Sequence, residues 1–110
     1  MQSIYRLKKN YQYNYVYKHA KHCADGNFTL LYCANHGKVS KVGFSVSKKQ
    51  GKAVERNRIR RQMKAAASNL IQRVKCGYNV VFIPKKQGGY LFGDILNSFE
   101  QLLTKAGLLQ

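Results

Sequence analysis

Residues 48–64 read KKQGKAVERNRIRRQMK, and eight of those seventeen positions are cationic: Lys48, Lys49, Lys52, Arg56, Arg58, Arg60, Arg61 and Lys64. Glu55 alone opposes them. Confining so many like charges costs self-repulsion, which a bound polyanion removes. The set offers electrostatic and hydrogen-bonding chemistry, with Asn57 adding an amide to the cations. Such a run is often only a solvated helix face, but those faces usually interleave Glu with Lys for i,i+4 pairing. This one has almost no acid, which favours a nucleic-acid face over simple solubility.

A second set is aromatic. Within YQYNYVYKHAKH (residues 11–22), Tyr13 and Tyr17 are one helical turn apart, as are Tyr11 and Tyr15. Two tyrosine ridges exceed what a short helix needs to bury. Either one ridge is core and the other surface, or one is a stacking platform, since every nucleobase has a π-face.

A third set is His19-x-x-His22-Cys23 with Cys33-x-x-His36, residue types that ligate zinc. Its spacing matches no common finger, so surface histidines and small core cysteines are the better reading. No catalytic constellation emerges. Asp25, Glu55, Asp94 and Glu100 are the only acids, too scattered for a carboxylate pair or two-metal site. Phosphate-cradling Walker or GxGxxG loops are absent, so nucleotide cofactors are not expected.

The elements that must position these residues follow from periodicity. With Ile59 at zero on a helical wheel, Met63, Ala66, Leu70 and Val74 fall within about 60°. Arg56 borders that stripe, while Asn57, Arg58, Arg60, Arg61 and Lys64 cover the opposite side. The helix is expected to begin at Ala53, after a loop containing Gly51, and to stop at Cys76-Gly77. Asn10 is expected to cap the tyrosine helix, which runs to about Lys21. Asp25-Gly26 reads as a turn and residues 27–34 (NFTLLYCA) as a strand. Asn35-His36-Gly37 reads as a second turn, suggesting a hairpin with a strand over residues 38–47 (KVSKVGFSVS). Gly43 there signals a bulge or close backbone approach; with Ser45 and Ser47 it leaves room for a ligand on one face. Residues 78–83 (YNVVFI) form a continuous apolar run, expected as a central strand ended by Pro84. The loop KKQGGYLFG follows, in which Gly88-Gly89 reads as a turn. A last helix opens at Asp94 and runs to about Ala106, with Ile95, Phe99, Leu102 and Leu103 as its stripe. The order is that of an α+β fold with helices packed on a small mixed sheet.

At 110 residues and net charge +16, with 45% hydrophobic residues, the chain is expected to form a single nucleic-acid-binding domain over 1–110. The three cysteines are odd in number and scattered, pointing to a reducing compartment. No apolar run approaches the ~18 residues of a membrane span, and the start lacks a signal-peptide segment. A cytoplasmic protein without a membrane partner is expected.

The run GFSVSKK (43–49), Gly51, Ala53, Val54 and RNRIRR (56–61) resembles the signature of the bacterial ribonuclease P protein family. That family carries GxSVSKK followed by G-x-AV-x-RNR-x-(K/R)R, and the likeness extends more loosely over nearly the whole chain. The resemblance implies the order αβββαβα, with a β-α-β crossover around the RNR helix. It also implies a left-handed crossover, where the general rule favours the right hand. A catalytic RNA subunit would then be held by Lys48, Lys49, Lys52, Arg56, Asn57, Arg58, Arg60, Arg61 and Lys64. Precursor tRNA would be the second partner, its 5′ leader lying in a cleft lined by Tyr13, Tyr17, Thr29, Leu31 and Ser45. Tyr13 and Tyr17 stand where the family has a Phe-x-x-x-Phe pair. The protein would bind no cofactor firmly, Mg²⁺ belonging with the RNA subunit, and no protein residue would be catalytic. Departures are Lys41 and Lys64 for usual arginines, and Ala67 for a common Phe; Lys64 loses bidentate phosphate geometry. Charge and fold class alone also fit a basic RNA-binding module such as a ribosomal or RNA-assembly protein. A protein-only nuclease would need a carboxylate or histidine set that is not evident.

Overall fold

A computed structural model describes residues 2–85 and 89–110. The elements are α1 (Asn10–His19), β1 (Lys21–Ala24), β2 (Phe28–Ala34), β3 (Lys41–Phe44), α2 (Ala53–Leu70), β4 (Tyr78–Pro84) and α3 (Phe92–Lys105). The order αβββαβα is the expected one. Among the described residues no helix is long and apolar enough to cross a membrane.

The four strands lie in the order β1-β2-β4-β3. β1 and β2 form an antiparallel hairpin across Asp25-Gly26, and β2 also pairs antiparallel with β4. The Asp25 carboxylate accepts from the Asn27 and Phe28 amides, both at 2.8 Å, and closes the turn. Burial opposes its ionisation, but the Phe28 and Asn27 amides, the Ser98 hydroxyl and the Lys85 ammonium together outweigh that and hold its pKa below the usual value. β3 runs parallel to β4, so α2 is the crossover of a β-α-β unit.

The hairpin expected across Asn35-His36-Gly37 therefore does not form. β4 inserts between β2 and β3, because its run from Asn79 to Phe82 is buried throughout and takes a partner on each edge. The Asn35 amide nitrogen instead ties the loop together, donating to the Val39 carbonyl at 3.1 Å and Asn79 Oδ1 at 2.9 Å.

The sheet separates two clusters. On one face Phe28, Leu30, Val42, Val80 and Phe82 meet Ile59, Met63, Ala66, Ala67 and Leu70 of α2, and Ile95, Phe99, Leu102 and Leu103 of α3. Phe82 stacks on Phe99 with ring centroids 3.8 Å apart. On the other face Val81 packs with Leu7 and Val16, flanked by Tyr13, Ala20, Leu31, Cys33 and Ile83. The apolar stripes expected on α2 and α3 thus point into one core.

Several ends differ from expectation. α1 stops at His19, and Ala20 turns the chain directly into β1, a strand implied by the αβββαβα order but not shown by periodicity. Gln12, rather than an Asn10 cap, satisfies the entry: its Oε1 accepts from the Lys8 and Lys9 amides at 3.2 Å each. α2 ends at Leu70, followed by a single 3-10 turn at Ile71–Arg73. There the C-terminal tail takes over the backbone, with Lys75 N donating to Leu108 O and Gln110 N to Arg73 O, both at 2.7 Å. β3 is confined to four residues, since Ser47 starts a 3-10 turn at Lys48–Gln50 by accepting from the Lys49 amide. α3 opens at Phe92, one half-turn before Asp94. The expected turn at Gly88-Gly89 includes Gly88, which lies outside the described residues.

Candidate nucleic-acid interface

The basic face occupies the first half of α2. Ile59 and Met63 bury the inner side, so Lys52, Asn57, Arg58 and Arg61 stand exposed while Arg56, Arg60 and Lys64 are half-buried. Lys48 and Lys49 adjoin them on the exposed 3-10 turn. Among the described residues no α2 cation joins an ion pair; Arg60 Nη1 donates only to Asn57 Oδ1, at 3.2 Å. The positive end of the helix dipole adds to these charges at Ala53. All nine positions read from sequence fall on this one continuous stretch.

The opposite sheet face is built in rows, because cross-strand partners share a side of the pleat. Leu31 pairs with Val81 and Val81 with Gly43, forming a middle row. Thr29 pairs with Ile83, and the Ser45 amide continues the β3 ladder by donating to Phe82 O at 3.0 Å. That places half-buried Thr29, Ile83 and Ser45 as a second row beside the first.

Tyr13 lies against the middle row. A Cβ added at Gly43 would come within 2.6 Å of its Oη and 2.7 Å of its Cε1. The glycine therefore makes room for an aromatic ring, neither forming a bulge nor admitting another backbone as expected. The space expected for a ligand at Gly43 is filled by protein. The Tyr13 hydroxyl accepts from the Phe44 amide at 3.3 Å and donates to the Leu7 carbonyl at 3.4 Å. Burial pushes its pKa up, partly offset by that amide. Arg6 and Arg60 act on the same hydroxyl electrostatically, both easing its ionisation. Tyr17 is 48% exposed, its ring centroid 6.3 Å from that of Tyr13 and tilted by 41°. The arrangement offers one half-buried and one open ring beside a partly apolar floor, flanked by cations.

Sequence reasoning missed Ile83 as part of that floor. Alternation from Val81 places it on the same face, a signal masked by the continuous apolar run. It also passed over Arg6, whose neighbour Leu7 is fastened by its amide to Val42 O at 3.0 Å. The histidine and cysteine set does not converge: among the described residues no three of His, Cys, Asp or Glu could hold a metal. Cys23 packs with the α3 core, its thiol 3.5 Å from the Leu102 carbonyl, whereas Cys33 belongs to the α1 face.

The family model for ribonuclease P matches residues 1–107. The chain belongs to the ribonuclease P protein family. It is 40% identical over 108 residues to the "Ribonuclease P protein component" of Clostridium kluyveri, covering 96% of each chain. The component of the same name from Clostridioides difficile is 38% identical, covering 93% of this chain and 91% of the relative. Among solved structures, a Staphylococcus aureus RNase P protein superposes with a TM-score of 0.86 at 29% identity, covering 96% of this chain and 98% of that one. Ribonuclease P is an endoribonuclease and a ribonucleoprotein, in which a protein component of this family works with an RNA subunit to process precursor tRNA at its 5′ end.

Proposed function

We propose that residues 1–110 act as one RNA-binding domain with two surfaces of separate task. The α2 face, from Lys48 and Lys49 through Lys52, Arg56, Asn57, Arg58, Arg60, Arg61 and Lys64, holds the RNA subunit by its phosphates. The cleft between α1 and the sheet holds the 5′ leader: Tyr17 stacks on a base, Tyr13 forms the wall, and Leu31, Thr29 and Ser45 form the floor with Ile83. Cleavage belongs to the RNA subunit with its bound Mg²⁺, and the site of action is the cytoplasm.

The observation that carries this reading is that one domain presents an α2 face whose cations join no ion pair among the described residues and a cleft in which Tyr13 fills the space at Gly43 while Tyr17 is left open. A cation beside a stacking platform is how single strands are held without base readout. Reconstitution tests it. Precursor tRNA and Mg²⁺ are incubated with the protein, the catalytic RNA, or both. Cleavage by the RNA, enhanced by the protein at physiological salt, is the expected result. Cleavage by the protein alone would place chemistry in it, and no enhancement would reduce it to a basic RNA-binding module.

A further inference from the structure

The other flank of α1 faces a different groove, of about 700 Å³, walled by Tyr11 and Tyr15 on one side and the β2–β3 loop on the other. Its strand-side boundary includes Asn79 and Lys41, paired across β4 and β3 one row beyond Val81 and Gly43. Tyr11 and Tyr15 are 70% and 50% exposed, too open to serve the core. Tyr15 is not loose, however. His19, one turn on, lies against it with ring centroids 4.4 Å apart and a tilt of 38°, leaving part of the tyrosine exposed.

The loop wall is tied as well. The Asn35 side chain bonds Val39, Asn79 and the Gly37 amide, the last at 2.7 Å. Among the described residues Lys38 and Lys41 are the charged ones lining the groove, and no acid lines it. Aromatic rings in a cation-bearing, acid-free groove match a base with its flanking phosphates. An apolar peptide would leave both ammonium groups unanswered.

We propose that this groove is a second subsite for single-stranded RNA, holding one unpaired nucleotide with its base on Tyr15 and Tyr11 and its phosphates near Lys38 and Lys41. It takes from the proposed function only that the ligand is RNA, and it does not depend on the Tyr13/Tyr17 cleft. The test measures binding of a labelled nonameric oligoadenylate, and of a matched RNA duplex, to the full chain. Tyr11→Leu with Tyr15→Leu should weaken oligoadenylate binding about five- to 150-fold, the worth of one stacked base. Duplex binding should be unchanged. Unchanged oligoadenylate affinity with intact thermal stability overturns the proposal, as does an equal loss on the duplex. Should the variant lose its fold, the wild-type ring resonances decide. Upfield shifts of Tyr11, Tyr15 and His19 on adding oligoadenylate are expected, and shifts confined to Tyr17 overturn the subsite. If Tyr13→Leu with Tyr17→Leu spares long-leader precursor binding while the Tyr11/Tyr15 pair fails on oligoadenylate, the leader cleft falls and this subsite stands.

Discussion

Replacing Gly43 by Ala should be costly, and the cost should depend on Tyr13. The new methyl would sit 2.6 Å from Oη, 2.7 Å from Cε1 and 2.8 Å from Cζ, closer than real contacts allow. The ring cannot yield by a few tenths of an ångström, because Leu7, Val16 and Val81 pack beside it and two backbone groups hold its hydroxyl. Overpacking of this kind costs about 1–3 kcal/mol. The hydrogen bonds contribute less: at 3.3 and 3.4 Å they are long, so each adds at most about 0.5 kcal/mol. Steric exclusion therefore dominates, and Tyr13→Phe alone should cost under about 1 kcal/mol. In a Tyr13→Ala background the methyl has room, and Gly43→Ala should become neutral or stabilise by about 0.4–1 kcal/mol through the unfolded chain. Urea unfolding of the four proteins in this cycle reads the coupling, expected at about 1–4 kcal/mol as the difference between those two effects. A coupling below about 0.5 kcal/mol would mean that the ring is not what the glycine accommodates.

Further outcomes follow from the core, the charge face and the buried phenol. Phe99→Ala removes the ring stacked on Phe82 and edge-on to Phe28, and should cost about 3–5 kcal/mol in chemical denaturation; a loss under about 1 kcal/mol would place Phe99 outside the core. If the α2 face meets about five phosphates, log affinity for structured RNA should fall with log salt at a slope of roughly −4, and Arg61→Ala should flatten it by about 0.7–0.9. An unchanged slope removes Arg61 from the contacts. Because the folded pKa of Tyr13 lies above its ordinary 10.0, the folded state holds the phenolic proton more tightly than the unfolded chain. The associated stability is full below 10.0 and is lost as pH rises through the folded value. Tyr13→Phe should abolish that part of the alkaline decline, seen by thermal melts across the range; an identical decline in the variant would assign it elsewhere.

Local periodicity carried much of the fold. The stripes of α2 and α3 and the buried run of β4 were legible because each is a repeat within one segment. Strand pairing was not, since it depends on segments far apart. The turn at Asn35-His36-Gly37 looks like a hairpin locally, yet β4, which is buried on both faces, displaces β3 from β2. β1 was hidden because KHCA follows the helix without a breaker, and pairing with β2 decides its state. The end of α2 depended on a tail more than thirty residues away, as the Arg73–Gln110 separation of 37 shows.

At the candidate interface the cations were legible as a contiguous run with helical spacing. The cleft was legible only in part. A glycine in a strand reads as empty space, but the ring that fills it comes from α1. Tyr13 and Tyr17 share a helix face, yet only the three-dimensional packing makes one a wall and leaves the other open.

The division of labour between the two surfaces is tested most directly by leader length. Tyr13→Leu with Tyr17→Leu preserves apolar packing better than alanine would. It should weaken holoenzyme binding to precursor tRNA with a long leader by about five- to 150-fold, the worth of one stacked base. Affinity for a precursor with a one-nucleotide leader, and for the RNA subunit itself, should barely change. Equal losses on long and short leaders, with thermal stability intact, would contradict the assignment of the leader to this cleft.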